Sequence, residues 1–556
     1  MISLILYFTT LVLIIFCSGL VFSYFLVGKN VSKYDFFEIS LLGIISHTFL
    51  TLLIHLFLPL DEYTNFIFSL ILVSIALFIF KKEIINKINL EKIPIIISFV
   101  IVFIMTIKYK LNEDYGLYHL PYIVNFISEK VVFGLSNLQP QFAWNSTWLN
   151  FSATLNLPLM NLRGTQLSNS ILYFLFLGLV LNRIFDKNEK NQLSYFFLVS
   201  LLFYIVIKYS RISEHGFDLP ANLFLLISVY FFIRLFEKNS NFDKDLSLFF
   251  IFAIFSITIK LNTIVILINL FLLFLFLAKK KYQFTKVYKV IAFVSVFILL
   301  WFVQQFIYSS CFIPFLEITC IKSTEWFNPS LIESLKSLTG SVNKSYWQYK
   351  GDLSEEEFVK NFNWLTTWFN RNKIEIAENL LAILLPLTIL IIINLNNLKK
   401  NTIKKLKYNK ILNLYLLILI SSGLLLWFFK SPVYRFGMPY IFTSIFFLIF
   451  KILKYYSNSF EINNKILYVL ILSIMFNLGK NISRIIDSDF NENVWPKMIN
   501  VEYSTKQIGE YYINYPNSKI KSTQHNLCWS IQFICDINKG TNIEIKKKGN
   551  YFIIIK

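Results

Sequence analysis

Charge is what this sequence has least of. Asp, Glu, Lys and Arg make up only 15% of its 556 residues, while hydrophobic residues make up 56%. A soluble chain carries about a quarter charged residues, so the composition argues against a soluble globular protein. The sequence also lacks a basic stretch ahead of its first apolar run. That run, 2–27, is too long for the hydrophobic part of a signal peptide, and Phe16 before Cys17 fits a lipoprotein cleavage site poorly. The run therefore reads as a retained helix. Histidine is scarce, at five residues. No Cys/His spacing suits a zinc site, His525 near Cys528 being the sole hint. No repeat of fixed period is present. Acids are outnumbered, 33 against 53 Lys and Arg, for a net charge of +20. Nucleic acid is rejected as the partner of that charge, because many of the lysines sit in short loops between apolar runs, where they set membrane orientation.

What the sequence does contain is apolar runs of spanning length. They predict an all-α polytopic membrane protein of about fourteen transmembrane helices. The runs lie near 2–27, 35–60, 64–80, 92–109, 167–184, 193–209, 218–236, 246–259, 261–278, 285–308, 376–397, 409–429, 434–452 and 463–480. The stretch 246–278 is too long for one helix of ordinary tilt. Lys260 and Asn262 at its middle predict two short spans meeting there. With both termini outside, the basic loops 81–92, 183–192, 234–245, 279–289 and 399–410 fall inside. The short loop 60–65, which carries Asp61 and Glu62 and no cation, then falls outside. This divides the chain into N-terminal helices (1–109), an outer acidic loop with interfacial helices (110–166), a helical core (167–308), a second outer loop (309–375), C-terminal helices (376–480) and an outer tail (481–556). Alternation of polar and apolar residues over 541–555 predicts strands in that tail, a small α/β cap.

Cys17 reads as a buried apolar residue. The other four cysteines pair by position, Cys311 with Cys320 in the second outer loop and Cys528 with Cys535 in the tail. Two local disulfides in an oxidising compartment are favoured, with zinc as the rival reading.

The reactive residues gather on the same face. Residues 111–121 read Leu-Asn-Glu-Asp-Tyr-Gly-Leu-Tyr-His-Leu-Pro, placing Glu113 and Asp114 where a helix leaves the membrane. An amphipathic-looking stretch, 118–127, follows, then the aromatic and amide-rich 141–150 with Trp144 and Asn145. Both are expected to lie along the interface. A carboxylate at that depth can take a proton from a hydroxyl or hold a divalent cation such as Mg or Mn against a phosphate. A plain solvated helix-end charge is the alternative. A second acidic loop, 211–220, reads Arg-Ile-Ser-Glu-His-Gly-Phe-Asp-Leu-Pro and brings Glu214 and Asp218. Its plain alternative is local pairing with Lys208 and Arg211, worth little. Lys260 interrupts an apolar run at a cost of about 2.5–3.5 kcal/mol at bilayer depth, which a partner or a wet cavity would offset. Arg435, in Lys-Ser-Pro-Val-Tyr-Arg-Phe-Gly (430–437), opens the thirteenth span, and Arg suits bidentate phosphate binding. Either cation can instead snorkel to the interface. His47 and His55 read as packed polar residues; His119 and His215, beside the acids, are a second base or loop hydrogen-bonders.

This order of parts resembles the GT-C superfamily of integral-membrane glycosyltransferases. The matching parts are an outer loop opening on an acidic pair (Glu113-Asp114), interfacial helices within it (118–158), two spans, and a second acidic outer loop (Glu214, Asp218). Three spans precede the acidic loop where the superfamily usually has one, and no Asp-x-Asp occurs at 113–115. More narrowly, the strings Gly-Leu-Tyr-His-Leu (116–120), Trp-Asn-Ser-Thr-Trp (144–148), Ser-Cys-Phe-Ile-Pro…Thr-Cys (310–320), Tyr-Arg-Phe-Gly (434–437) and Cys-Trp…Cys (528–535) look like an uncharacterised family of bacterial polytopic membrane proteins.

The superfamily resemblance implies a GT-C-like fold and a polyprenyl-phosphate sugar as donor. It implies an envelope acceptor: a glycolipid, polysaccharide or protein. It makes Asp114 or Glu113 the acid that engages the acceptor or a metal. Asp218 or Glu214 would hold the acceptor or a cation, and Arg435 with Lys260 the donor phosphate. Tyr118, His119, His215, Trp144 and Asn145 are expected contacts for donor or acceptor. The expected location is the bacterial inner membrane, with both termini periplasmic. A transporter or flippase of lipid-linked saccharides is the alternative, although polar residues near the midplane and repeated halves would be expected of it.

Overall fold

The computed structural model describes residues 2–107, 112–186, 193–210, 212–237, 241–398, 410–456, 465–486, 498–508, 510–518, 525–537 and 543–556. Arg211 and the basic loop 399–409 lie outside them. Helix makes up 73% of the structure, and the paired strands are confined to the tail. The first four helices are α1 (Ile2–Val27), α2 (Phe36–Ile54), α3 (Glu62–Leu90) and α4 (Lys92–Ile107). Short helices α5 (Leu120–Ser128), α6 (Thr147–Thr154) and α7 (Leu162–Thr165) follow, then α8 (Ser168–Phe185), α9 (Leu193–Lys208) and α10 (Asp218–Arg234). Next come α11 (Phe242–Ile259), α12 (Ile266–Lys279) and α13 (Tyr288–Ser309). The second loop carries α14 (Pro329–Gly340) and α15 (Glu355–Val359), and α16 (Leu365–Leu398), α17 (Lys410–Lys430), α18 (Tyr434–Tyr456) and α19 (Lys465–Ile486) complete the helices. A helix stands at each of the fourteen apolar runs. Among the described residues, seven helical stretches are long and apolar enough to cross a membrane by length and composition. Phe78 on α3, Phe271 on α12 and Leu425 on α17 are large apolar side chains left more than half exposed. Bare apolar helix faces of this kind suit lipid, not water.

Local chemistry explains the main boundaries. Asp35 caps α2 by accepting from Glu38 N, with the Glu38 side chain returning the bond to the Asp35 amide. Asp61 caps α3 through Thr64 N. α1 and α2 cross backbone against backbone, because a Cβ at Gly19 or Gly43 would run into Ile39 O or Ile15 O. Small residues permit this close approach in membrane helices. The long run breaks where Lys260 adopts an extended conformation (φ −156°, ψ 128°) between α11 and a short turn, as the sequence predicts.

Four expectations are corrected. The stretch 81–92, expected as a loop, is mostly helical, since α3 continues to Leu90 past a kink at Phe80. α16 starts at Leu365, eleven residues before the predicted apolar run, with a mostly exposed stretch at 369–375. The stretch 118–127 does not lie along an interface with one face bare. Leu120 to Phe126 are all buried: Leu120 and Val124 pack with Leu527 and Trp529 of the tail, and Tyr122 packs on Phe142 and on Tyr308 of α13. α6 is buried along its whole length and packs on α2 and α5.

At the end of the bundle away from Asp114, Glu38 is fully buried between Arg183 (2.5 Å) and Lys244 (2.6 Å). Asp35 also takes Arg183 (2.6 Å), and Arg234 pairs with Asp245 (3.1 Å). These pairs tie the ends of α2, α8, α10 and α11 together. Buried ion pairs are weak evidence of stability; here they set how four helix ends meet. They also mean that Arg183, Arg234 and Lys244, counted among loop cations in the sequence, already have internal partners.

The tail forms two antiparallel pairs, β1 (Tyr503–Ile508) with β2 (Tyr511–Pro516) and β3 (Glu544–Lys548) with β4 (Tyr551–Ile555). β4 docks onto the first loop, with Ile554 N donating to Phe133 O and Phe133 N to Phe552 O, both at 2.9 Å. Asn137 Nδ2 also donates to Ile554 O at 2.8 Å. Cys311 is joined to Cys320 and Cys528 to Cys535.

Candidate functional site

Three segments far apart in sequence meet at the end of the bundle opposite the Glu38 cluster. Asp218 is the first residue of α10, with Pro220 in the same turn; an acid there complements the helix dipole. Lys260 is carried by the break between α11 and α12. Arg435 opens α18 just after Pro432. Amides and a phenol join these pieces through the backbone. Asn222 donates to Arg435 O (2.7 Å), Asn262 to Phe436 O (3.1 Å), and Tyr440 to Asn262 O (2.8 Å).

On that frame Asp218 bridges two cations. Lys260 donates to its Oδ1 and Arg435 Nε to its Oδ2 at 2.8 Å. Arg435 Nη2 reaches on to Asp114 Oδ2 at 3.4 Å. Lys260 Nζ also stands 3.5 Å from the Phe436 ring centre and 5.2 Å from that of Phe217, where aromatic faces favour a cation. The side chains grade outward: Lys260 is 20% exposed, Asp218 24%, Asp114 36% and Arg435 52%. Asp218 is thus the held counter-ion, whereas Asp114 is open and loosely bound.

Asp114 owes its position to the turn that follows it. Tyr115 to His119 form a π turn, closed by Leu120 N on Tyr115 O. Pro121 lacks the N–H that a regular helix would use next, and π turns recur at functional sites. Asn112 Oδ1 accepts from Tyr115 N at 2.8 Å, and its amide points to Glu214 at 3.5 Å. Trp529, beside the tail disulfide, covers the turn. Its backbone N–H donates to Gly116 O (3.0 Å), and a Cβ at Gly116 would strike its indole. Gly116→Ala is therefore expected to lift Trp529 and lower stability by about 1–3 kcal/mol, as overpacking does. Thermal unfolding in detergent measures it, and an unchanged midpoint would show that the cap does not press on the turn.

The two predicted acidic loops do meet, but their members differ in place. Glu113 is exposed, apart from the ion-pair cluster. Glu214 lies against Asn112, not Arg435. His215 is fully buried, accepts or donates to Thr165 Oγ1 at 2.7 Å and stacks on Tyr115 at 5.0 Å. Burial, helped by His119, pushes its pKa down to about 3, so it is neutral at pH 7. The unfolded chain then binds more protons between about pH 3 and 6.5, and stability falls with acid through that window. His215→Gln should flatten the fall: measured at pH 7.5 and 5, the wild type should lose more thermal stability than the variant. Equal losses would remove His215 as the cause.

His119 packs edge-on to Phe217 (5.1 Å) and Tyr118 (4.3 Å). The Tyr118 phenol is held above its ordinary pKa by burial and then by Asp114 and Asp218, so it stays protonated. Trp144 stands edge-on to Tyr118 at 5.7 Å. Asn145 is buried: it accepts from Tyr122 OH (3.4 Å), and its carbonyl takes Trp301 Nε1 (3.0 Å). It supports the loop and lies off the charged cluster.

A divalent cation prefers six or more oxygens, several of them carboxylate. Here the two clustered carboxylates are already matched by two side-chain cations. Among the described residues no three His, Cys, Asp or Glu form a metal-holding group. As placed, the donor set does not fit such an ion. The four charges balance, two carboxylates against two cations, and Arg435 is the most exposed of them. Sequence reasoning missed Phe217, Phe436, Asn222, Tyr440 and Trp529. Asn222 was detectable as an amide within an apolar helix; the others look like ordinary apolar or interfacial residues.

Residues 1–442 match a family model described as "Domain of unknown function (DUF8201)". No curated protein and no solved structure matches the chain.

Proposed function

Given that the chain belongs to the DUF8201 family, whose description assigns no chemistry, we propose from the site itself that it is a membrane glycosyltransferase. It moves a sugar from a polyprenyl-phosphate donor to an envelope acceptor. The observation that carries the reading is the convergence of Asp114, Asp218, Lys260 and Arg435 at one end of an apolar helical bundle. In this reading all fourteen helices span the inner membrane in a GT-C-like arrangement. Both termini and the site face the periplasm, where lipid-linked sugars stand in for nucleotide sugars.

The reaction is a single displacement with inversion. The acceptor oxygen attacks the anomeric carbon as its proton passes to Asp114. The bond from that carbon to the phosphate oxygen breaks, and the departing polyprenyl phosphate keeps the electron pair. Arg435 and Lys260 stabilise the charge that develops there. Asp218 holds both cations in register before the donor arrives. The four charged groups of the site gather at one end of the bundle, which suits an enzyme better than a carrier with its site at the midplane.

The test uses purified protein in proteoliposomes with a donor labelled in both lipid and sugar. Release of labelled polyprenyl phosphate together with sugar transfer is expected. Movement of intact donor across the bilayer without cleavage would replace this reading with a flippase.

A further inference from the structure

The second outer loop contains a cleft that the proposed reaction does not use. It is shallow and open to solvent, with a volume of about 480 Å³, and Gln348, Tyr349, Lys350, Thr367, Asn370 and Arg371 line it. Its base is rigid. Phe358, Trp364 and Trp368 are buried in one aromatic cluster, and Tyr349 packs on Phe358 at 4.9 Å. Gly351 lets the Tyr349 hydroxyl sit where any Cβ would collide with it. At the rim, Trp347 is 59% exposed. Arg371 lies over one face of it at 4.4 Å and donates to Ser345 Oγ at 3.2 Å. The guanidinium is therefore held in place, with donors left for a ligand.

The cleft is also tied to the charged cluster. Trp368 Nε1 donates to Pro432 O at 2.5 Å, three residues before Arg435. Arg371 feels the carboxylate of Glu375, one turn further along α16, more strongly than it feels Arg435. Two amides, two hydroxyls and two cations line the cleft, and no carboxylate does. Such a set serves a chain rich in hydroxyls that also carries negative charge. An exposed indole suits the C–H face of a sugar ring, being large, rigid and amphipathic.

We propose that this cleft binds an acidic oligosaccharide, the distal part of the acceptor, and so sets which acceptors reach Asp114. Its role as acceptor site rests on the glycosyltransferase reading; the binding itself does not.

The experiment is calorimetric titration of the full-length protein in nanodiscs. The probes are an oligogalacturonate and a maltooligosaccharide of matched length. The acidic chain is expected to bind more tightly, with Arg371→Ala costing about tenfold in affinity and Arg371→Lys less. Trp347→Ala should weaken both sugars. No binding of either sugar, equal binding of the two, or full affinity in Arg371→Ala overturns the proposal. The two readings fail separately. Sugar transfer without oligosaccharide binding removes the cleft and keeps the reaction, whereas binding without any donor cleavage removes the reaction and keeps the cleft.

Discussion

Asp114→Asn is expected to lower sugar transfer by about 10²–10⁴-fold, the usual contribution of a positioned base. The substitution keeps the shape of the side chain and removes its ability to accept a proton. It disturbs little else, because Asp114 is over a third exposed and its contact with Arg435 is long, at 3.4 Å. The loss should therefore fall on kcat, with KM for the donor nearly unchanged. Glu113→Gln is the internal control: its side chain stands outside the ion-pair cluster, and transfer should fall far less. Initial rates in proteoliposomes, normalised to inserted protein, decide the matter. Wild-type transfer by a well-inserted Asp114→Asn protein would falsify the assignment, and a larger loss in Glu113→Gln would exchange the two roles.

Asp218→Asn should act mainly on stability. Asp218 is the shared partner of Lys260 and Arg435, and its loss leaves two cations facing each other with aromatic rings around one of them. Breaking a buried pair costs about 3–5 kcal/mol. With side chains between 20% and 52% exposed, this one should fall below that range, at about 1–3 kcal/mol. Lys260→Met should cost less, since Asp218 keeps Arg435. The double variant should recover part of the Asp218→Asn loss, because the stranded lysine is gone. A double-mutant cycle on thermal unfolding in detergent reads the coupling. Simple additivity would mean that the pair is not coupled, and that the cations do not depend on Asp218 for their place.

Much of this was legible in the sequence because it is local. Helix positions follow from apolar runs, and the interruption at Lys260 follows from one charge in the wrong surroundings. The disulfide partners are near neighbours in the chain. The site was legible only as a list. Asp114, Asp218, Lys260 and Arg435 could be named as costly charges near helix ends, yet nothing in their spacing says that Asp218 alone joins both cations, or that Glu113 and Glu214 stand aside. Those distinctions depend on which way each helix is turned. Here the turning is governed by Asn222, Asn262 and Tyr440, which join α10, the Lys260 break and α18 through backbone carbonyls. The burial of 118–158 was hidden in the sequence for a related reason. Aromatic and amide-rich sequence suits a membrane surface and a covered loop equally, and only the docking of β4 and Trp529 shows that this loop is covered.

The sequence by itself determined that this is an apolar helical membrane chain whose reactive residues gather at helix ends, because burial of backbone and side chains in lipid leaves little choice of element. The tertiary structure alone decided that Asp218 is a bridge between cations and Asp114 an open carboxylate. Ion-pair partners 42 and 321 residues apart are chosen by helix rotation and packing, which no run of neighbouring residues encodes.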